Sequence, residues 1–340
     1  MLLRASKQSL SAGLWFSLLL TSLTAAAAPV ETPYSAVSLP FELHQVPGKP
    51  VYFIIGESGV PGSNNEGHTS NAGFVVTDEG VVVYDALGTP ALGYRMLQRI
   101  REVTDKPVKK VIVSHYHADH IYGLQAFKEH AGNPEMIAQT LALGYIGGAR
   151  HTQGEAAQSR LEQRREALFP WVDEKTYVVA PDTTFDKEYN FTLGGLNFEV
   201  LHLGPAHAPG DSIMLVKELG VLFGGDVIYK GRVPFLDSPE TDVRHWIEGL
   251  DYLTSLDPQP SFIIPGHGDA DDSVERSLLL TREYLQFVLD AMTKALQEGL
   301  SFEQAYEATD WSKYRDMPAF KASNRGNAYR IYLELEPEMF

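Results

Sequence analysis

The chain has 340 residues, no cysteine, and 28 Lys+Arg against 44 Asp+Glu, a formal net charge of −16. That length allows one large domain or two small ones with a sizeable core. The missing cysteines exclude disulfides, thiolate zinc sites and a cysteine nucleophile, and the acidity disfavours nucleic acid and anionic lipid, which both need a basic footprint.

Residues 1–27 read as a secretory signal. Arg4 and Lys7 give a basic start, Leu14 to Leu20 an apolar run, and Ala25 to Ala28 a small-residue stretch before Pro29. Cleavage is expected after Ala27. The apolar run is short beside the roughly 20 residues a membrane span needs, so the expectation is an exported, periplasmic chain with no stable membrane insertion once the signal is removed. Residues 28–40, rich in Pro, Ser and Thr, read as an extended leader, and 41–340 as one domain with no dividing linker.

Within that domain, residues 51–55 read as a strand, followed by a glycine-rich loop over 56–70 that is long for a connection between strands and therefore a functional candidate. Residues 72–77 and 81–84 flank Asp78-Glu79-Gly80 as a hairpin, and 91–103 has helical spacing. Residues 108–113 form an apolar, β-branched strand, and a helix begins near Ile121. A further strand is expected at 135–140 and a polar helix over 141–167. Strand pairs follow around Gly194-Gly195 and Leu219-Gly220, the second ending at Phe223. Helices are expected at 241–253, 273–297, 302–308 and 319–335, with a strand at 261–264. Strands precede helices in each of two halves, an order that suits two sheets packed face to face with helices outside.

The chemistry concentrates at the turn after the 108–113 strand. Ser114-His115-Tyr116-His117-Ala118-Asp119-His120 packs three histidines and one aspartate into six residues, and neutral imidazoles with a carboxylate are the ligand types zinc takes when no thiolate is at hand. Three more apolar strands end in glycine-loosened turns that carry His207, Asp226 and His267. Five histidines and two aspartates at four strand ends suffice for two adjacent metals with one bridging carboxylate.

This ordered set, His115-x-His117-x-Asp119-His120 followed by His207, Asp226 and His267, resembles the metallo-β-lactamase fold superfamily over about residues 45–270. The resemblance implies an αββα sandwich of two mixed β-sheets flanked by helices. It also implies two Zn2+ per chain, with His115, His117 and His207 on one, Asp119, His120 and His267 on the other, and Asp226 between them. Residues 70–77 and 203–211 are also similar to an exported branch near the class B β-lactamases, which includes zinc hydrolases proposed to work beside quinoprotein dehydrogenases. Asp226 stands where efficient class B enzymes carry a cysteine ligand, and His120 is present as in hydroxyacylglutathione hydrolases and lactonases.

The implied function is an exported dinuclear zinc hydrolase. Its metal-bound hydroxide, oriented by the catalytic Asp119, would cleave an acyl bond (lactam, lactone, ester or thioester) in a small, anionic substrate. The alternative is a non-catalytic zinc-binding relay protein serving a partner dehydrogenase; its protein partner is not identified by sequence. Iron redox chemistry lacks a fused flavin domain here, and nuclease action conflicts with the acidity. Lys230 and Arg232, shortly after Asp226, are the candidate anchors for a substrate carboxylate.

Overall fold

The computed structural model describes residues 32–146, 155–238 and 240–339. The signal segment at 1–27, the first four leader residues, and part of the helix expected over 141–167 lie outside them. Residues 33–340 form one compact unit.

The run Val81-Val82-Val83-Tyr84 shows how the layers arise. All four side chains are buried, yet alternate ones join different cores: Val82 and Tyr84 pack toward the other sheet, Val81 and Val83 toward helices. A strand buried on both faces reads as continuous apolar sequence, and this one, β4 (Val81–Tyr84), sits mid-sheet. Its sheet runs in chain order through β1 (His44–Gln45), β2 (Val51–Ile54), β3 (Ala72–Val76), β4, β5 (Val108–Ile112), β6 (Glu135–Gln139) and β7 (Thr183–Phe185). Pairing is antiparallel up to β4 and parallel from there on. The parallel step from β4 to β5 requires a crossover, made by α1 (Pro90–Val103), whose first turn is capped by Thr89 Oγ1 accepting the Leu92 N–H at 3.2 Å. Between β5 and β6 lie α2 (Ala118–Ile121) and α3 (Leu124–His130); between β6 and β7 lie α4 (Leu143–Ile146) and α5 (Glu155–Leu168).

The second sheet has the order β12 (Phe262–His267), β11 (Val221–Tyr229), β10 (Ser212–Val216), β9 (Leu196–His202), β8 (Glu188–Leu193), antiparallel except for the β11–β12 pair. The crossover between β11 and β12 is α6 (Val243–Ser255), and α7 (Val274–Gln297), α8 (Phe302–Ala308) and α9 (Phe320–Met339) complete the outer layer. Phe53, Ile112, Met214, Val216 and Phe223 fill the space between the sheets, while Trp246, Leu250, Tyr284 and Val288 seal the second sheet under its helices. The result is the αββα sandwich of two mixed sheets expected from the element order.

Two differences from the sequence reading bear on the site. The strand expected to stop at Phe223 runs on through Gly224-Gly225-Asp226 to Tyr229. Gly225 takes φ +49°, and the register against β12 shifts there, so the glycine pair bends the strand instead of ending it. Asp226 is therefore held by a ladder, not by a loop. The short strand β7, unrecognised in sequence, extends the first sheet beyond β6.

Candidate metal centre

Three strand ends and the bend inside β11 deliver seven ligand-type side chains to one cleft between the sheets. The turn after β5 brings His115, His117, Asp119 and His120; the loop before β10 brings His207; β11 brings Asp226; and the end of β12 brings His267. Their ligand atoms fall into three groups, each within 4.8 Å of one another: His115, His117 and His207; Asp119, His120 and His267; and His115, His120 and Asp226 between them. Asp226 is the hub. Its Oδ1 lies 3.1 Å from His120 Nε2, and its Oδ2 lies 3.2 Å from His267 Nε2 and 3.5 Å from His207 Nε2. The approach needs glycine opposite: a Cβ on Gly266 would run into Asp226 Oδ1.

The outer hydrogen bonds decide which imidazole nitrogens face inward. A carbonyl or ionised carboxylate oxygen only accepts, so a ring nitrogen bonded to one carries the hydrogen. His267 Nδ1 donates to the Thr69 carbonyl at 2.6 Å, His207 Nδ1 to the Phe235 carbonyl at 2.7 Å, and His120 Nδ1 to Asp85 Oδ2 at 2.8 Å. In each neutral ring Nε2 then carries an unprotonated lone pair turned toward Asp226, and that of His267 also lies 3.2 Å from the Arg232 guanidinium. His117 points the other way round, with its Nδ1 2.7 Å from His207 Nε2. The buried Nε2 atoms of His115 and His120 and Oδ1 of Asp226 have no hydrogen-bond partner among the described residues. Bare lone pairs and carboxylate oxygens packed against one another repel unless a cation sits among them, so the donor set fits bound divalent metal.

Electrostatics agree. Burial, with the neighbouring imidazoles, holds the His115 pKa well below its ordinary value, and burial lowers His117 to about 4; both rings stay neutral, as ligands must. Burial works to raise Asp226, but the imidazoles of His267, His120 and His115 outweigh it and keep the carboxyl well below the usual carboxylate range. Asp119 is held down in the same way by His120 and His267 against its own burial. For His120 burial works downward, yet Asp226, Asp85 and Asp119 push it well above its ordinary value.

These acids favour the charged form of His120, and a metal ligand must be deprotonated, so metal competes with a proton there and affinity is expected to rise with pH. Zinc titrations at about pH 6 and about pH 8 are expected to show tighter binding at the higher pH with proton release to the buffer. Equal affinities would contradict this.

Residues 66–275 match the family model for the metallo-beta-lactamase superfamily. The chain belongs to the metallo-β-lactamase superfamily. Superfamily relatives include a linear primary-alkylsulfatase from Pseudomonas sp. (strain ATCC 19151), 24% identical over 254 residues, which cover 67% of this chain and 48% of that protein. The chain therefore spans about half the length of that relative. The hydroxyacylglutathione hydrolase GloC from Haemophilus influenzae is 32% identical over 177 residues, 51% of this chain and 74% of that one. Among solved structures, a metallo-β-lactamase from Pontibacter korlensis superimposes with a TM-score of 0.54 at 20% identity over 73% of this chain and 99% of that one. The relatives are hydrolases.

Several residues that support the superfamily site escaped the sequence reading. Asp85, fully buried after β4 at φ +60°, accepts the Ser114 N–H through Oδ1 at 2.7 Å and the His120 Nδ1–H through Oδ2, tying the β5 turn to β4. Its only signal was an acid directly after an apolar strand. Tyr229, buried and stacked on His267 at 5.2 Å, donates its hydroxyl to Asp226 Oδ2. Asn71 donates to the carbonyls of Pro265 and Gly268 and pins the His267 turn from the opposite sheet. The loop at 56–70 ends in Thr69 and Ser70, whose hydroxyls bond Asp119 Oδ2 at 3.3 Å and the Asp119 carbonyl. His68, in the same loop, packs on Phe41 and stays out of the ligand groups.

The two candidate anchors part ways. Arg232 is buried and lines the pocket over the cluster, its guanidinium donating to the Gly59 carbonyl at 2.7 Å and to His267 Nε2 at 3.2 Å. Lys230 is outside the lining and is committed to an ion pair with Asp271 at 2.7 Å. The expectation that either cation serves the site thus narrows to Arg232, because Asp271, distant in sequence, claims the lysine.

Proposed function

We propose that the chain is an exported dinuclear zinc hydrolase acting on a small, anionic substrate. One zinc would be held by His115, His117 and His207, the second by Asp119, His120 and His267, with Asp226 touching both. The observation that carries this reading is the convergence of bare imidazole and carboxylate lone pairs on one buried point. Zinc ions bound there would supply Lewis acidity that polarises a carbonyl or sulfuryl oxygen and would lower the pKa of water into the neutral range.

The chain's own residues supply the rest. Asp119, ionised and held by Thr69 and Ser70, faces the cleft and accepts a proton from water at its carboxylate oxygen. Asp85 and the carbonyls of Thr69 and Phe235 keep three imidazoles in one tautomer each. Tyr229 fixes the Asp226 carboxylate through its hydroxyl. Arg232 anchors an anionic group of the substrate beside the reacting bond. Such an anchor binds ground and transition states alike, so Arg232→Ala is expected to raise KM by about 10- to 100-fold with little change in kcat, while Lys230→Ala leaves both unchanged. Steady-state kinetics on an anionic substrate decide; an unchanged KM for Arg232→Ala places the anchor elsewhere.

Acyl bonds are the first substrate class, in line with similarity to hydroxyacylglutathione hydrolase and β-lactamases. Alignment with an alkylsulfatase across two thirds of this chain favours a second, sulfate esters. A panel of ester, thioester, lactone, lactam and alkyl sulfate substrates, run on zinc-loaded protein with and without chelator, tests both. Hydrolysis abolished by chelator and restored by zinc is expected; no turnover on any class, or turnover indifferent to chelator, sinks the reading and favours a binding or relay role. Export rests on Arg4, Lys7, the Leu14 to Leu20 run and the alanines before Pro29. Mass spectrometry of protein from an extracytoplasmic fraction is expected to find a start at Ala28, and an intact Met1 there would contradict it.

A further inference from the structure

The pocket over the His/Asp cluster is small, about 90 Å³, whereas small-molecule sites begin at roughly 300 Å³. It has room for a reacting group and not for the body of a substrate. A second cavity of about 390 Å³ lies against it, and the two share His117, Arg164 and Asp237. This second space is walled by rings and aliphatic groups. Tyr116 and Tyr145 stack with centroids 4.0 Å apart at 14°, and Ile121, Tyr122 and Val178 continue the wall.

Three arginines of α5 lie close by, and their hydrogen bonds sort them. Arg160 lies 5.1 Å from the centroids of both Tyr116 and Tyr145 and donates to the Tyr145 carbonyl at 3.1 Å, so it braces the ring wall. Arg165 donates to the carbonyls of Asp173 and Thr176 at 2.8 and 3.0 Å. Arg164, on the boundary between the two spaces, makes no hydrogen bond or ion pair among the described residues. The acidic side chain it shares that boundary with, Asp237, stands 3.9 Å from His117 Nε2. A half-buried guanidinium without a partner among the described residues, beside stacked rings and next to a reaction centre, has the composition of a recognition site for a planar anion.

We propose that this cavity is a specificity pocket that takes the aromatic body of the ligand, with Arg164 pairing a carboxylate carried on that body. The proposal rests on the hydrolase reading only in calling the ligand a substrate; the binding needs no turnover. Arg232 serves the reacting end and Arg164 the remote end.

The test is isothermal titration of the zinc-loaded full-length mature chain with phenylpropionate and with its neutral analogue phenylpropionamide. The acid is expected to bind about tenfold more tightly than the amide, a difference of about 1.4 kcal/mol. Arg164→Ala is expected to bring the acid down to the affinity of the amide and leave the amide unchanged, with Arg164→Lys recovering part of the difference. Tyr145→Ala is expected to weaken acid and amide alike. Acid binding unaffected by Arg164→Ala would place the carboxylate on the metals or elsewhere and overturn the proposal, as would equal binding of acid and amide or saturable binding of neither. These titrations remain readable if no substrate is ever turned over. Failure of the hydrolase reading would then appear as absent chelator-sensitive turnover beside intact, Arg164-dependent binding.

Discussion

Asp226→Ala is expected to lower kcat/KM by about a thousandfold or more and to reduce bound zinc from two ions toward one or none. The magnitude follows from the site's layout. Asp226 has an oxygen within 3.2 Å of two imidazoles and within 3.5 Å of a third, so its loss opens both halves of the centre, and removal of even one fixed electrostatic contact in an active site costs about 10²–10³ in rate. Alanine also leaves the buried Tyr229 hydroxyl without its acceptor, at about 1–3 kcal/mol of stability. Asp226→Asn separates the effects: it keeps an acceptor for Tyr229 and the side-chain shape but removes the charge. If charge between the imidazoles is what matters, Asn is expected to lose zinc and turnover nearly as completely as Ala while keeping most of the stability. Elemental analysis, kinetics and thermal unfolding of both variants check this; full zinc occupancy in either would remove Asp226 from the centre.

The second large effect is expected at Asp85, which faces the ligands from behind. Asp85→Ala strands two buried donors, the Ser114 N–H and the His120 Nδ1–H. At about 1–3 kcal/mol for each unsatisfied group, the variant is expected to lose about 2–6 kcal/mol, enough to unfold a marginal domain. Asp85→Asn is the more telling variant, because asparagine tolerates the left-handed backbone at φ +60°. Its Oδ1 can still accept from Ser114, but its amide would meet the His120 Nδ1–H donor to donor. That pushes the ring toward the tautomer with Nδ1 bare and Nε2 protonated, and zinc affinity is expected to fall about 10- to 100-fold with much smaller loss of stability. Zinc titration and denaturant unfolding measure the two quantities separately. Unchanged affinity in a folded Asp85→Asn protein would mean that the carboxylate does not set the tautomer.

Much of this arrangement was legible in the sequence because the signals are local. The β5 turn crowds four ligand-type residues into six positions, and the apolar runs before His207, Asp226 and His267 mark strands whose ends converge once two sheets stack. Strands preceding helices in each half pointed to the layers, and the helices expected from 241 and 273 begin in the structure at Val243 and Val274, where Asp242 and Ser273 each accept the N–H three residues on. What escaped depends on contacts between distant segments. Asp85 looks like any acid after a strand until His120 is folded onto it. Gly224-Gly225 reads as a turn, and only the pairing with β12 shows that the strand continues to Tyr229. Lys230 and Arg232 are near equals in sequence, and it takes Asp271, on a turn after β12, to separate them. Arg164 lies on a polar helix whose ordinary reading is a solvated face, and the rings of Tyr116 and Tyr145 that give it a cavity come from elsewhere in the fold.

The most direct test of the account is the metal stoichiometry of the purified chain, titrated with zinc from the metal-depleted state and followed by elemental analysis and chelator-sensitive hydrolysis in the same samples. Two zinc ions per chain, with turnover rising as they fill, are the predicted result. A single ion or none at saturation, or hydrolysis that proceeds without metal, would contradict it.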